Sequence, residues 1–470
     1  MDFDINKDIQ EFLKILNRKS EDDILDLAAI ESKATELSAK YPERIEPWFY
    51  LGRVYRILGQ YSKAWDVFEK ISQDKAWQGP DILRGPEIIF EKSLLAYYLH
   101  KDCHRALSYS IEYLNIEDCK NWEYILENFI YLIKPLSQTE GANTYRLLYP
   151  SLGNYHPSSV NQIKIDGHDC LCIRYVNYRI NPTDGIYDCT EFNTHNLILF
   201  KGRRDILISN IDLPRYPTPY RGIEDIRLYR DSSGILRFLA TQQEYVPGEA
   251  GINLMIDGEV DLNNFTLKNA QVIGSPNPDS MCEKNWIPWV GSSGKTYYIY
   301  WWQPLQIGTV IDGRLNIIHR QKTPAIFSHF RGSSCLVPWI GDQIWCCVVH
   351  LVHTPMNGKG TRRYYHCLVF FEIRQVEGGD FFPWIIDYTI PFTFFANKDT
   401  IISGANGANG ANGANGTSSI EYCLGFDTDT NLAKPVAKFW VSVLDSNPHK
   451  LEIPIQELDR MRVGGTTAWT

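Results

Sequence analysis

No window of the chain holds 18 consecutive apolar residues, so no segment reads as a membrane-spanning helix. The opening Met1-Asp2-Phe3-Asp4-Ile5-Asn6-Lys7 lacks the basic run and apolar core of a secretory signal, and a cytoplasmic location is expected. The 11 cysteines are odd in number and include no Cys-x-x-Cys pair, which argues against a disulfide scaffold or a structural zinc site. There is no P-loop and no G-x-G-x-x-G, so no cofactor is expected. Ser334 lacks the G-x-S-x-G setting of a serine hydrolase nucleophile. Positive charge is short as well: 47 Lys and Arg stand against 56 Asp and Glu, a net charge of -9, which disfavours nucleic acid as a partner. What the chain has in plenty is aromatic surface, with 27 Tyr, 21 Phe and 13 Trp, or 13% of its residues. Such a chain builds a β-rich core or presents aromatic faces to a ligand. Its 470 residues exceed one small core and imply two domains, or one large domain with an attachment.

The hydrophobic period changes along the chain, and the fold class expected is a multidomain α + β protein. Residues 1–150 read as a helical domain. Trp48, Leu51, Gly52, Tyr55, Ala64 and Phe68 fall on the spacing of a tetratricopeptide repeat, with Gly52 and Ala64 small where two antiparallel helices approach and the aromatics filling the seam. A weaker unit spans Phe90–Leu114 with Ala106 at the small position, and Asn121–Lys134 reads as a further helix stopped by Pro135. So short an array suits packing, self-association or a protein partner better than a peptide groove.

From about residue 155 to 460 the chain reads as all-β: short strands bounded by Gly, Pro, Asn and Asp, with no long helical pattern between them. Several segments begin alike, at Gly222-Ile223-Glu224-Asp225, Cys282-Glu283-Lys284-Asn285-Trp286, Arg331-Gly332-Ser333-Ser334 and Ser418-Ser419-Ile420-Glu421. Each pairs a polar cluster with an apolar strand, and in the first three a tight turn and a second apolar strand follow. With a first blade near Ile163–Ser209, that makes a five-bladed propeller. The innermost strands of a propeller start beside its axis, so these clusters are expected to converge on one pocket. Charged groups recurring there are costly to bury unless paired or liganded.

The segment Glu224-Asp225-Ile226-Arg227 resembles the Glu-Asp-Pro-Arg signature of glycoside hydrolase family 130, the mannoside phosphorylases and hydrolases, and is similar to the mannosyltransferases of glycosyltransferase family 108. The resemblance covers roughly residues 160–455 and implies a five-bladed propeller acting on a glycosidic bond of a mannose-like sugar. It implies that Asp225 is the general acid of an inverting reaction, its proton delivered through a sugar hydroxyl, and that Arg227 is an ion-pair partner orienting the carboxylates. Ile226 stands where the signature has Pro, and the family's phosphate-binding residues are not matched here. Glycosyl transfer and phosphorolysis are therefore both open, with hydrolysis third, and a sugar nucleotide or phosphate would be the co-substrate.

Asp225 beside Glu224 and Arg227 has the makings of a tuned acid. Neighbours on a strand face opposite ways, however, so Glu224 and Asp225 are not expected to face one substrate equally. A second carboxylate for hydrolysis could be Glu283, Asp342, Asp387, Glu421 or Asp445. Further substrate contacts are expected from Lys284, Asn285, Arg331, Ser333, Ser334, His350, Arg363, Tyr364 and His366; the Arg and His among them suit an anionic group. His350 and His353 do not share a strand face, so no metal site is expected. Among Trp286, Trp289, Trp301, Trp302 and Trp339, most read as core and Trp286 as the first choice for stacking on a sugar. The Gly-Ala-Asn repeat over Gly404–Gly416 reads as a surface loop. The rival reading is a non-catalytic propeller that binds glycan or protein.

Overall fold

The computed structural model describes residues 7–12, 27–73, 85–100, 103–114, 135–147, 149, 152–181, 186–246, 252–340, 343–353, 362–375, 380–395 and 420–463. The expected helix over Asn121–Lys134, the repeat over Gly404–Gly416, Asp342, Ser418 and Ser419 lie outside these residues. The chain divides into two compact units, Met1–Leu132 and Ile133–Thr470.

The first unit contains helices α1 (Leu27–Lys40), α2 (Ile45–Ile57), α3 (Tyr61–Gln73), α4 (Gly85–His100) and α5 (Cys103–Leu114). Gly59, at φ +72°, ends α2. Its N–H reaches the Arg56 carbonyl at 3.0 Å and the Gln60 N–H reaches that of Tyr55 at 2.8 Å, the paired bonds of a Schellman stop. The chain then reverses into α3. A Cβ at Gly52 would stand 2.7 Å from the Phe68 ring, so only glycine lets α2 meet α3 this closely. Ala64 is fully buried in the same seam. Helices α4 and α5 form a second hairpin, where Ser93 donates to the Ala106 carbonyl at 3.0 Å and shares a hydrogen bond with Ser110 at 2.6 Å.

The second unit is a five-bladed propeller. Strand β1 (Asn143–Arg146) comes first in the chain. Blade I is β2 (His156–Ile165), β3 (His168–Val176), β4 (Phe192–Phe200) and β5 (Arg203–Ile206). Two short strands follow, β6 (Ile208–Ser209) and β7 (Tyr220–Arg221). Blade II is β8 (Glu224–Arg230), β9 (Leu236–Gln242), β10 (Leu254–Asp261) and β11 (Thr266–Ile273); blade III is β12 (Ile287–Val290), β13 (Thr296–Trp302), β14 (Leu305–Ile311) and β15 (Arg314–Gln321). Blade IV is β16 (Arg331–Gly332), β17 (Val337–Pro338), β18 (Ile344–His353), β19 (Arg363–Gln375) and β20 (Phe381–Tyr388). Blade V is β21 (Glu421–Asp429), β22 (Val436–Val443), β23 (Ser446–Pro454) and β1, which pairs antiparallel with β23. The strands that open the blades lie beside one another around the axis.

Three expected boundaries change. Blade I begins at His156 rather than Ile163, because Ser158, Ser159, Asn161 and Gln162 are buried at the axis and carry no apolar alternation. Ile208–Ser209 leaves blade I to pair parallel with β11. Asn143–Arg146, placed by its sequence position among the helices, is the outer strand of blade V; all four residues are exposed, so its sequence carries no burial pattern. Aromatic packing joins the blades: the buried Trp339 ring meets Phe370 at 5.2 Å and Phe426 at 6.4 Å, and its Nε1–H donates to Asp459 at 3.1 Å.

Candidate functional site

Gly222 sets the entry to β8. At φ +89°, with a Cβ there falling 2.2 Å from the Thr194 carbonyl oxygen, the position admits no side chain. Three residues on, Asp225 sits at φ +53°, and the pairing of β8 with β9 shifts between Glu224 and Arg227. This bulge breaks the two-residue alternation. Glu224 and Asp225 therefore turn to the same side, against the expectation from simple strand geometry. Both engage Arg174 of β3, Glu224 at 2.9 Å and Asp225 at 3.2 Å. Ser159 also donates to Asp225 at 3.2 Å.

Arg174, Glu224 and Asp225 line a cavity of about 400 Å³. Blade I contributes Arg174, and Tyr178 and Tyr187 from the segment after β3. Blade II contributes Glu224 and Asp225, and Lys284 and Asn285 precede β12. His350, Arg362 and Tyr364 come from the β18–β19 hairpin, Tyr422 from β21 and Asp445 from the β22–β23 turn. The axial convergence expected from the repeat is therefore found, though with a different membership.

Three carboxylates share this space with one buried guanidinium. Burial, the adjacent Asp225 and Asp445 charges and the opposing pull of Arg174 together leave Glu224 above the usual carboxylate range, with burial the largest influence. Asp445 is raised in the same way, burial first and Asp225 after Arg174. Tyr178 donates to Asp445 at 3.2 Å and receives Arg174 Nη2 at 3.2 Å. Burial pushes the Tyr364 phenol up to about 12, so it stays a hydroxyl at neutral pH. His350 is held well below its ordinary value by burial, with His366, Lys284 and Arg227 adding to the effect. It is a neutral imidazole whose Nδ1 shares a 2.7 Å hydrogen bond with Ser333.

Several expected contacts belong elsewhere. Arg227 is fully buried and orients no carboxylate: it donates to the carbonyls of Ser333 at 2.9 Å, Gly332 at 3.2 Å and Asp225 at 3.3 Å, to Asn285 Oδ1 at 3.3 Å and to the Tyr422 hydroxyl at 3.2 Å. The carboxylate clamp is Arg174, which sequence reasoning missed, although a charge inside Leu171-Cys172-Ile173-Arg174-Tyr175-Val176 is a visible signal. Trp286 is 1% exposed and packs on Tyr298 and Tyr300, donating to Glu283 at 3.1 Å, so it is core. Glu283 is its buried anchor, also bound by Ser275 and Tyr300. Arg331 lies over the Trp301 ring at 4.8 Å and is outside the cavity. Ser334 bonds backbone at Cys335 and Val348. Glu421 is fully buried, accepting the N–H groups of Phe394 at 2.7 Å and Phe395 at 2.8 Å.

Arg363 begins β19 and pairs with His353 across the hairpin, whereas its neighbour Arg362 lines the cavity. Asp387 is tied to Arg462 at 2.7 Å, which leaves Asp445 as the one of the five proposed second carboxylates to line the cavity among the described residues. None of the five tryptophans singled out lines it; Trp289 stands edge-on to Trp345 at 5.1 Å, and both line a separate cavity of about 480 Å³ at the far ends of the innermost strands. Among the described residues, no group of three or more His, Cys, Asp or Glu could hold a metal ion.

His366 is sealed behind the cavity against Phe394 at 4.7 Å and Phe392 at 6.4 Å, and neither ring nitrogen meets a hydrogen-bond partner among the described residues. Burial lowers it from 6.5 to about 3. A lowered histidine contributes stability above its unfolded value, and that contribution is lost as pH falls toward the folded one. At pH 5 the loss from this residue is about 2 kcal/mol. His366→Leu is expected to make the acid side of the melting-temperature profile shallower by that amount while leaving the neutral side nearly unchanged. Parallel profiles for variant and wild type would refute the assignment.

No protein-family model and no curated protein sequence matches the chain. Among solved structures it is similar to a GDP-Man-dependent mannosyltransferase from Leishmania mexicana, at 11% identity and a TM-score of 0.38, over 66% of this chain and 90% of that one. It is similar to a mannose phosphorylase from the same organism in complex with phosphate ion, at 9% identity and a TM-score of 0.37, over 69% and 92%. It is also similar to the β-1,2-mannobiose phosphorylase of Listeria innocua in its complex with β-1,2-mannobiose, at 11% identity and a TM-score of 0.38, over 68% and 99%.

Proposed function

We propose that the axial cavity is the active site of an enzyme that makes or breaks a glycosidic bond of a mannose-like sugar, with Asp225 as the general acid or base and a phosphorylated co-substrate. The observation that carries this reading is the bulge at Asp225. It spends a left-handed backbone conformation to bring two adjacent carboxylates onto one guanidinium, beside a third, in a cavity walled by tyrosine hydroxyls. Burial and mutual repulsion hold the neighbouring Glu224 and Asp445 above the usual carboxylate range, so the cluster around Asp225 gives up its protons less readily than isolated carboxylates do. Tyr178 and Tyr364 offer hydroxyl partners to a polyol, and Lys284 and Arg362 offer positive charge to phosphate. In the making direction, an acceptor hydroxyl attacks the anomeric carbon as the bond to phosphate or nucleoside diphosphate breaks, and the carboxylate takes the hydroxyl proton. In the breaking direction phosphate attacks, and the acid returns the proton to the departing oxygen. The helical unit, with its glycine-seamed hairpin, serves as a tetratricopeptide-like module for packing or a protein partner.

The test is a product analysis. The full chain is incubated with sugar nucleotides, with hexose 1-phosphates and with manno-oligosaccharides in phosphate buffer. Release of nucleoside diphosphate identifies transfer; release of phosphate from the hexose phosphate, or its uptake, identifies phosphorolysis. Saccharide binding without either product would replace the enzyme reading with that of a glycan-binding propeller.

A further inference from the structure

The mouth of the axial cavity has two unlike sides. Lys284 and Arg362, both exposed, stand over blades III and IV. Over blade I the lip is aromatic and continues outward in steps. Tyr178, buried in the cavity wall, meets Tyr187 edge-on at 5.2 Å; Tyr187 meets Phe192 edge-on at 5.2 Å; Phe192 stacks on Tyr220 at 4.7 Å with planes 10° apart. Tyr187 is 42% and Tyr220 39% exposed. The stack on Phe192 uses one face of Tyr220. A run of rings that begins in a polar cavity and ends in solvent is a surface built by cross-strand geometry: β7 lies parallel to β4 with Phe192 opposite Tyr220.

We infer that this ladder is an extended saccharide subsite. It receives further pyranose units of an oligosaccharide whose terminal sugar occupies the axial cavity, while the anionic co-substrate enters over Lys284 and Arg362. The inference rests on the carbohydrate reading of the cavity and deepens it to a substrate of at least three sugar units. At about 400 Å³ the cavity is near the small end of ligand pockets, roughly 300–1,000 Å³. A longer saccharide must leave over the lip. The blade I side offers it flat apolar faces with hydroxyl edges, the pairing that sugar rings present in return. The other side offers charge, which suits the phosphate.

The experiment uses titration calorimetry on the full chain with saccharides of one to four units in the manno, gluco, galacto and xylo series. In at least one series, affinity is expected to rise about threefold to tenfold from two to three units, the worth of one aromatic stacking contact. Tyr220→Phe keeps the ring face and is expected to keep the rise. Tyr220→Ala removes the face, leaves the backbone pairing with Phe192, and is expected to abolish the rise while affinity for the shortest ligand stays within about twofold. Length-independent affinity in every series, or an equal loss for the shortest ligand, overturns the subsite. So does binding of phosphatidylcholine–phosphatidylglycerol vesicles that disappears in Tyr220→Ala, since the patch would then be a lipid contact. If the wild type turns over a short substrate without length dependence, the subsite alone fails. If the length dependence is present but no saccharide is ever turned over, the catalytic reading alone fails.

Discussion

Asp225→Asn is expected to lower turnover by about 10²–10⁴, the usual worth of a positioned acid or base, while leaving saccharide affinity nearly unchanged. Asparagine is the right probe for structural reasons. It keeps the size of the side chain, accepts from Ser159 and Arg174 through its amide oxygen, and is among the residues that tolerate the left-handed backbone found at this position. The loss therefore reports a proton rather than a collapsed bulge. A second readout follows from the coupling. The charge on Asp225 helps hold Glu224 and Asp445 above their usual range. Neutralising it should let both ionise at lower pH. In the wild type, a rate that needs the protonated cluster falls as pH rises through the raised carboxylate range. Residual activity of the variant should lose that descending limb at a lower pH. Turnover within tenfold of wild type, or an unmoved limb, would remove Asp225 from the chemistry.

Arg227→Leu is expected to destabilise the propeller by about 3–5 kcal/mol, at the upper end of single substitutions, and to lower its melting temperature by roughly 10 °C. The reason is the number of acceptors that one side chain serves. Its guanidinium donates to groups of Ser333, Gly332, Asn285 and Tyr422, which belong to blades III, IV and V, while its own strand opens blade II. Leucine fills part of the volume and leaves the buried Ser333 and Gly332 carbonyls without this donor, while Asn285 Oδ1 keeps only the Tyr422 hydroxyl. Arg227→Lys is the discriminating companion. It keeps the charge but not the planar fork and should recover only a minor part of the loss. Thermal unfolding followed by near-ultraviolet circular dichroism reads the effect, and an unchanged melting temperature for Arg227→Leu would show that the hub contributes no stability.

The two substitutions also mark what the sequence could and could not disclose. The blade starts were legible because each repeats a polar cluster before an apolar strand, and that repeat led to the axis, to Glu224, Asp225, Lys284 and Asn285. Recurrence located the clusters but could not separate their members. In Glu283-Lys284-Asn285-Trp286 two residues face the cavity and two anchor the core, because Asn285 takes a left-handed turn that alternation does not foresee. The same blindness applied at Asp225. Arg174 gives a different signal: it lies on the second strand of its blade, away from any repeated start, and meets Asp225 only across 51 residues of chain. The resemblance to the Glu-Asp-Pro-Arg signature places Arg227 with the carboxylates, yet its side chain runs to the Ser333 and Gly332 carbonyls. Proximity in sequence is a poor guide wherever a bulge reverses the face.

The outer strand of blade V carries a consequence for how this protein is made. Tyr145, early in the propeller, bonds Glu452, 307 positions later. During synthesis β1 emerges from the ribosome before any blade exists, and its partner strand β23 emerges after all the others. Blades I to IV can form their own hairpins as they appear, but the ring stays open until the last hairpin arrives to collect the first strand. The axial cavity, which draws on every blade, is complete only at that moment, so its lining comes together in a single late step rather than by degrees.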